Sequence, residues 1–297
     1  MAHSSENLFR VTLLGTGAPP PSVDRFGPST LVEAGKEKFI FDAGRGAMQR
    51  LHQLGIPFSE ITGMFLTHHH SDHVVGFPDL WLTGWIGRPW GKRREPLQVW
   101  GPAGTKQMME HLAQAFAVDI RVRSKSYPPE GVKLVAQEIS EGMVFDGDGV
   151  KVSAFEVDHG GEELPAHGYR IDFLGHAAVL SGDTTFNENL IEHAKGADLL
   201  VHEVTAAAGI AAESAEQLKR IAANHTTPEQ AGEVFARVKP KLAVYNHLLF
   251  FGSATVAGLI PATRKKYGGA LIVGSDLMQI DIGADVLAKP SRHSGGV

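Results

Sequence analysis

From Phe9 onward the apolar positions fall in short unbroken runs closed by glycine or polar residues: VTLLGTG, then STLVEA, then KFIFDAG. Runs of that length bounded by turn residues predict buried β-strands. A helix is predicted from Arg45 to Leu54, stopped by Gly55. ITGMFLTHHH predicts a strand that passes into polar residues, and DHVVGFPDLWLTGW a helix with an apolar face. LQVWGPAG and TKQMMEHLAQAFA repeat the strand-then-helix rhythm. The polar, proline-containing stretch from Arg121 to Gly131 predicts a surface loop, and FDGDGVKVSAFEVDHG a hairpin leading into a strand. Beyond it, GYRIDF, HAAVLSGD, ADLLVHEV, KLAVYNH and ALIVGSD read as strands. They alternate with helices over Asn187 to Lys195, Glu213 to Ala222 and Pro228 to Val238.

This mixture of strands and helices is an α/β pattern with no linker and no internal repeat. It predicts a single domain over 1–286 and a disordered tail over 287–297. Hydrophobic residues at 43% and charged residues at 21% fit an ordinary globular protein. The net charge of −5 gives no overall attraction for nucleic acid or an anionic membrane. No apolar stretch is long enough for a bilayer, and the opening MAHSSENLFR lacks the apolar core of a signal peptide, so a cytoplasmic location is expected. The sequence contains no cysteine, which excludes disulfides, thiolate nucleophiles and iron-sulfur clusters. Any metal must therefore sit on His, Asp or Glu. There are 15 histidines, and their grouping carries the chemistry.

Three other motifs are set aside. GTG at Gly15 to Gly17 is followed by prolines where a dinucleotide-binding helix would have to begin, so it reads as a turn. DGDG at Asp146 to Gly149 would need an acidic ligand at the twelfth loop position, which is Val157, so it too reads as a turn. Lys92, Arg93 and Arg94 read as a solvated loop. THHHSDH, at Thr67 to His73, differs in kind. Side chains two apart share one side of an extended segment, so His68 and His70 can hold one ion. The turn into a helix aims Asp72 and His73 at a neighbouring position, and His69 should point elsewhere.

His68, His70, Asp72 and His73 match the HxHxDH motif, and here the sequence resembles the metallo-β-lactamase superfamily. FDAG with Asp42 is similar to the segment that supports the site from behind. His159 in EVDHG, Asp183 in LSGDT and His247 in VYNHLLF resemble the remaining ligands in family order. The resemblance implies a four-layer αββα fold, with two mixed β-sheets sandwiched between helices. It implies that His68, His70 and His159 hold one zinc, that Asp72, His73 and His247 hold the other, and that Asp183 bridges them. Two Zn²⁺ are expected, with Mn²⁺ or Fe as acceptable substitutes on the same nitrogen and oxygen donors. A shared hydroxide would then be the nucleophile.

ADLLVHEVT and NHTTPEQAG resemble the paired HEAT and HST segments of the tRNA 3′-processing endonuclease (ribonuclease Z) branch and its arylsulfatase-like relatives. That likeness gives Glu203 the task of orienting His225, which would protonate the leaving group or stabilise developing charge; the competing reading makes His225 a helix cap. His202 is read as a strand residue facing away from the site. One departure counts against RNA. Only 24 residues separate His159 from Asp183, where the tRNA enzymes carry a longer interval with a proline- and lysine-containing loop. No basic protruding arm is apparent either. Trp81, Trp85, Trp90 and Trp100, with Phe250 and Phe251, could instead line an apolar mouth.

The expectation is thus a dinuclear metal-dependent hydrolase with Asp72, His225 and Glu203 in catalytic roles. It would cleave a phosphoester, sulfate ester or lactone of a small, partly apolar substrate. The alternative is a tRNA 3′-processing endoribonuclease. A small-molecule ester is the expected partner, nucleic acid is allowed but not favoured, no membrane is involved, and a homodimer is an allowed assembly.

Overall fold

The computed structural model describes residues 5–86, 91–209 and 215–290. Its strands are, in chain order, β1 (Phe9–Gly15), β2 (Ser29–Ala34), β3 (Glu37–Phe41), β4 (Gly63–Phe65), β5 (Leu97–Gly101), β6 (Leu134–Glu138), β7 (Gly142–Gly147) and β8 (Val150–Val157). They continue with β9 (Ala166–Phe173), β10 (His176–Leu180), β11 (Leu199–Ala208), β12 (Leu242–Gly252), β13 (Leu271–Val273), β14 (Met278–Ile282) and β15 (Val286–Lys289). The helices are α1 (Ala47–Gln53), α2 (Ser71–Val74), α3 (Phe77–Ile86), α4 (Thr105–Ala115), α5 (Ala117–Arg123), α6 (Glu188–His193), α7 (Ala215–Ala222), α8 (Pro228–Val238) and α9 (Val256–Thr263).

One sheet runs β15-β14-β1-β2-β3-β4-β5-β6, the other β13-β12-β11-β10-β9-β8-β7. Both are mixed. β3 to β6 pair in parallel while β1, β2 and β14 pair antiparallel. In the second sheet β10 to β13 are parallel and β7 to β10 antiparallel. The inner faces meet in a core drawn from both sheets, including Val11, Phe39 and Phe65 from one and Val152, Tyr169 and Val201 from the other. A second core, around Leu51, Phe77 and Trp81, joins the first sheet to α1, α3 and α4. A third, around Leu190, Val234 and Leu259, joins the second sheet to α6, α8 and α9. Helix, sheet, sheet, helix is the expected four-layer fold. Burial of these three apolar interfaces is its main driving force.

Several local expectations shift. The DHVVGFPDLWLTGW segment breaks into α2 and α3, and the predicted loop at Arg121 to Gly131 begins inside α5. Residues 287–289, read as tail, pair with β14 as part of β15; residues 291–297 lie outside the described residues. The three tryptophans among the described residues do not form the expected aromatic mouth. Trp81 and Trp85 are buried, their indole N–H groups donating to the carbonyls of Val132 (2.8 Å) and Pro128 (2.7 Å). Trp100 stacks on Phe65 between the sheets, with ring centroids 4.6 Å apart. Their interior partners are what a segment of that apolarity can reach by packing onto a sheet. Trp90 lies outside the described residues. No helix among the described residues is long and apolar enough to cross a membrane.

Candidate metal centre

Parallel strands place their following loops at one edge of the sheets, the usual position for a site in open α/β sheets. His68 and His70 lie just beyond β4, and Asp72 and His73 on α2; His159 follows β8 and Asp183 follows β10. Glu203 and His247 lie within β11 and β12. The ladder between these two strands pairs Glu203 with Asn246 and then Val204 with Leu248, so His247 is an extra, bulged residue. Its φ is +43°, a backbone strain that redirects the side chain out of the pleat. Close approach at the rim requires glycine: a Cβ on Gly44 would stand 2.4 Å from the carbonyl carbon of Gly27.

Two groups of three form. His68 Nε2 lies 3.0 Å from His70 Nδ1, and His159 Nε2 lies 3.1 Å from the same nitrogen. In the second group Asp72 Oδ2 is 3.6 Å from His73 Nε2 and 3.4 Å from His247 Nε2. Asp183 Oδ2 stands between them, 3.1 Å from His247 Nε2, 3.3 Å from His73 Nε2 and 3.7 Å from His159 Nε2. All seven side chains predicted from the sequence therefore converge. Donor atoms about 2.0 to 2.1 Å from a tetrahedral ion are separated by roughly 3.4 Å, so these spacings fit ion-sized positions. The atoms facing inward also fit: imidazole lone pairs and carboxylate oxygens converge, and His73 Nε2 is buried without a hydrogen-bond partner.

The other ring nitrogens are held from behind. His159 Nδ1 donates to the carbonyl of Asn224 at 2.7 Å, and His68 Nδ1 to the Thr67 hydroxyl at 2.9 Å. That hydroxyl donates to Asp42 Oδ2 at 2.8 Å, and Asp42 Oδ2 also accepts from His73 Nδ1 at 2.8 Å. Asp42 thus supports the site as expected. Thr67 is an addition that the sequence signals only by its place beside the motif. His69 turns away to Thr105 Oγ1 at 2.9 Å, and His202 packs edge-on against Phe235 on the far side of its sheet.

Electrostatics divide the site. Burial keeps His68 far below the ordinary imidazole range and pulls His159 down to about 4, so both are neutral donors. Burial would also lower His73, but Asp183 and Asp42 together outweigh it and raise it well above the ordinary value. Burial alone would raise Asp183; His247 and His73 override it and hold the carboxylate ionised. Beside the centre, His225 Nδ1 lies 3.2 Å from Glu203 Oε1, which also accepts from the Thr226 N–H at 2.9 Å. Burial lowers His225, but the Glu203 bond and charge more than offset it, giving a net rise. The His225 ring stacks 5.7 Å from His247 and meets His159 edge-on at 4.7 Å. Its place as a mere cap is taken: Thr227 caps α8, in a reciprocal pair with Gln230.

A family model described as Beta-lactamase superfamily domain matches residues 37–248. A curated protein named Ribonuclease Z from Mycobacterium marinum is 35% identical over 286 residues, covering 93% of this chain and 100% of the relative. Another of that name, from Mycolicibacterium gilvum, is 34% identical over 293 residues, covering 96% and 100%. Among solved structures, human tRNase Z, short form, aligns with a TM-score of 0.69 at 23% identity, covering 92% of this chain and 99% of that one. The metallo-β-lactamase fold protein YhfI from Bacillus subtilis aligns with a TM-score of 0.74 at 16% identity, covering 93% and 100%.

Proposed function

The chain belongs to the β-lactamase superfamily, in its ribonuclease Z branch, and is a metal-dependent hydrolase; within that branch we propose that it is an endoribonuclease that trims the 3′ end of precursor tRNA. The observation that carries this reading is the 35% identity to a protein named Ribonuclease Z along the whole of that relative. It replaces a small, apolar ester as the preferred substrate. Two supports of the small-ester reading fall away. The described tryptophans sit in the cores, away from the site. The short interval between His159 and Asp183 also loses its force, because a relative of that name matches over its full length a chain as compact as this one.

In this reading His68, His70 and His159 hold one divalent ion, Asp72, His73 and His247 the other, and Asp183 is shared. Ions bound there supply Lewis-acid polarisation and a water of lowered pKa. Zinc suits the donor set, and Mn²⁺ or Fe²⁺ is compatible with it. The protein's own part is positional and protonic. The two rigid sheet edges fix the donors, so little reorganisation is needed when charge develops. As a water oxygen bonds to phosphorus and the phosphorus–oxygen bond to the ribose breaks, His225, whose protonated form Glu203 favours, gives its Nε2 proton to the departing ribose oxygen. The protonated ring also balances charge on the phosphoryl oxygens until that transfer.

The test uses a precursor tRNA with a 3′ extension, the matching mature tRNA and bis(p-nitrophenyl) phosphate. One cut at the end of the acceptor stem, with the mature tRNA left intact, is the expected result. Rapid turnover of the small ester with no cut in the precursor would restore the small-substrate reading.

A further inference from the structure

Directly beneath the proposed centre lies a cavity of about 40 Å³, lined by Asp42, Asp183, Glu203, Asn246 and His247 among others. Four of its lining residues carry a buried polar atom without a partner; His73 Nε2 is one, already assigned to the ion, and the other three are His247 Nδ1, Glu203 Oε2 and Asn246 Oδ1. Such atoms are costly to bury unsatisfied. The β11–β12 ladder brings them together, because Glu203 pairs with Asn246 and the bulge sets His247 next in line. A Glu203 oxygen and a ring nitrogen of His247 lie within 4.8 Å. No direct hydrogen bond joins the two residues, and that reach is what one bridging water spans.

The chemistry of the three atoms is complementary. Nε2 is the nitrogen that faces Asp72 and Asp183; once it is a ligand to the ion, as proposed above, His247 carries its proton on Nδ1, which makes that atom a donor. Glu203 Oε2 and Asn246 Oδ1 are acceptors. One water accepts a single hydrogen bond and donates two, and a space of this size holds it. We infer that the cavity is a structural water site, through which Glu203 and Asn246 position His247. Glu203 then serves two histidines, His225 through Oε1 and His247 through Oε2 by way of the water. The inference rests on the proposed ligand role of His247. Asn246 has no part in the hydrogen bonding of His225 and becomes a positioning residue in its own right.

Chelator competition for Zn²⁺, run on the wild type, Glu203→Gln, Asn246→Leu, Asn246→Asp and His225→Ala, tests it. In Glu203→Gln the amide oxygen is required by the N–H groups of Thr184, His225 and Thr226, so the NH₂ must face the cavity, where an acceptor is needed. Glu203→Gln and Asn246→Leu should each weaken the more weakly held ion by tenfold or more, the usual scale for groups that orient a ligating histidine. Asn246→Asp, which keeps the acceptor, should restore affinity to within threefold, and His225→Ala should keep it. Long-range ¹H–¹⁵N spectra of the zinc-loaded protein should show a protected His247 Nδ1 proton that disappears in the two weakened variants. Unchanged affinity in both, or an equal loss in His225→Ala, overturns the inference while leaving the metal centre standing. No Zn²⁺ uptake by the wild type would retire the centre itself.

Discussion

Asp42 Oδ2 accepts the Nδ1 proton of His73 at 2.8 Å and so fixes which nitrogen of that ring faces the centre. The same carboxylate takes the backbone N–H of Thr67 at 2.8 Å through Oδ1, locking the loop that bears His68 and His70. Replacing Asp42 by Asn puts an NH₂ against one of those donors. Asp42→Asn should lose 10- to 100-fold in metal affinity, read by chelator competition, although residue 42 is not itself a ligand.

Asp183→Ala removes a carboxylate oxygen that reaches both groups of three. Metal content measured by elemental analysis should fall from near two equivalents to one or fewer, and precursor cleavage should drop below detection. The fold should persist, because the residue sits at a loop edge and contributes little to the cores. A folded variant with full metal and full activity would contradict the shared role.

His225→Ala should keep both metals while kcat falls by ~10²-fold or more, the scale for a lost proton donor or charge stabiliser. Among substrates of graded leaving-group acidity, the deficit should shrink as the leaving group improves. A deficit independent of leaving group would assign His225 to charge stabilisation alone.

His202 makes a pH prediction separate from the centre. It is fully interior, and burial holds it down at about 4 against an ordinary 6.5. The unfolded chain therefore takes up a proton as pH falls through 6.5 while the folded chain does not. The resulting stability is present above pH 6.5 and is lost as pH falls towards 4, by about 2 kcal/mol at pH 5. His202→Leu abolishes this share, so urea midpoints of variant and wild type should converge towards acid. Parallel pH profiles would show that His202 contributes nothing to acid sensitivity.

Much of the architecture is readable from local pattern. Pro228 to Val238 matches α8 at both ends because Thr227, Pro228 and Gln230 are strong start signals. α9 went unread because VAGLIPAT contains Pro261 and has no polar face, and its burial against the second sheet exists only in three dimensions. The tryptophan-rich segment is ambiguous by composition, since a buried helix and a pocket wall demand the same residues. At the site, the metal-type side chains announce themselves by residue type and order. Asn246 does not, because its importance depends on the strand register and on the bulge at His247, neither of which is encoded within VYNHLLF.

The seven converging side chains are contributed by both halves of the sandwich: His68, His70, Asp72 and His73 follow strands of one sheet, while His159, Asp183 and His247 belong to the other. An ion held among them would act as a rivet between the layers, present only in the folded chain. Free metal then becomes a thermodynamic variable of folding. At a thousandfold excess over its dissociation constant each such ion adds about 4 kcal/mol to stability. Resistance to proteolysis should accordingly rise with the logarithm of free metal, so that in a metal-starved solution the protein loses its fold's margin together with its chemistry.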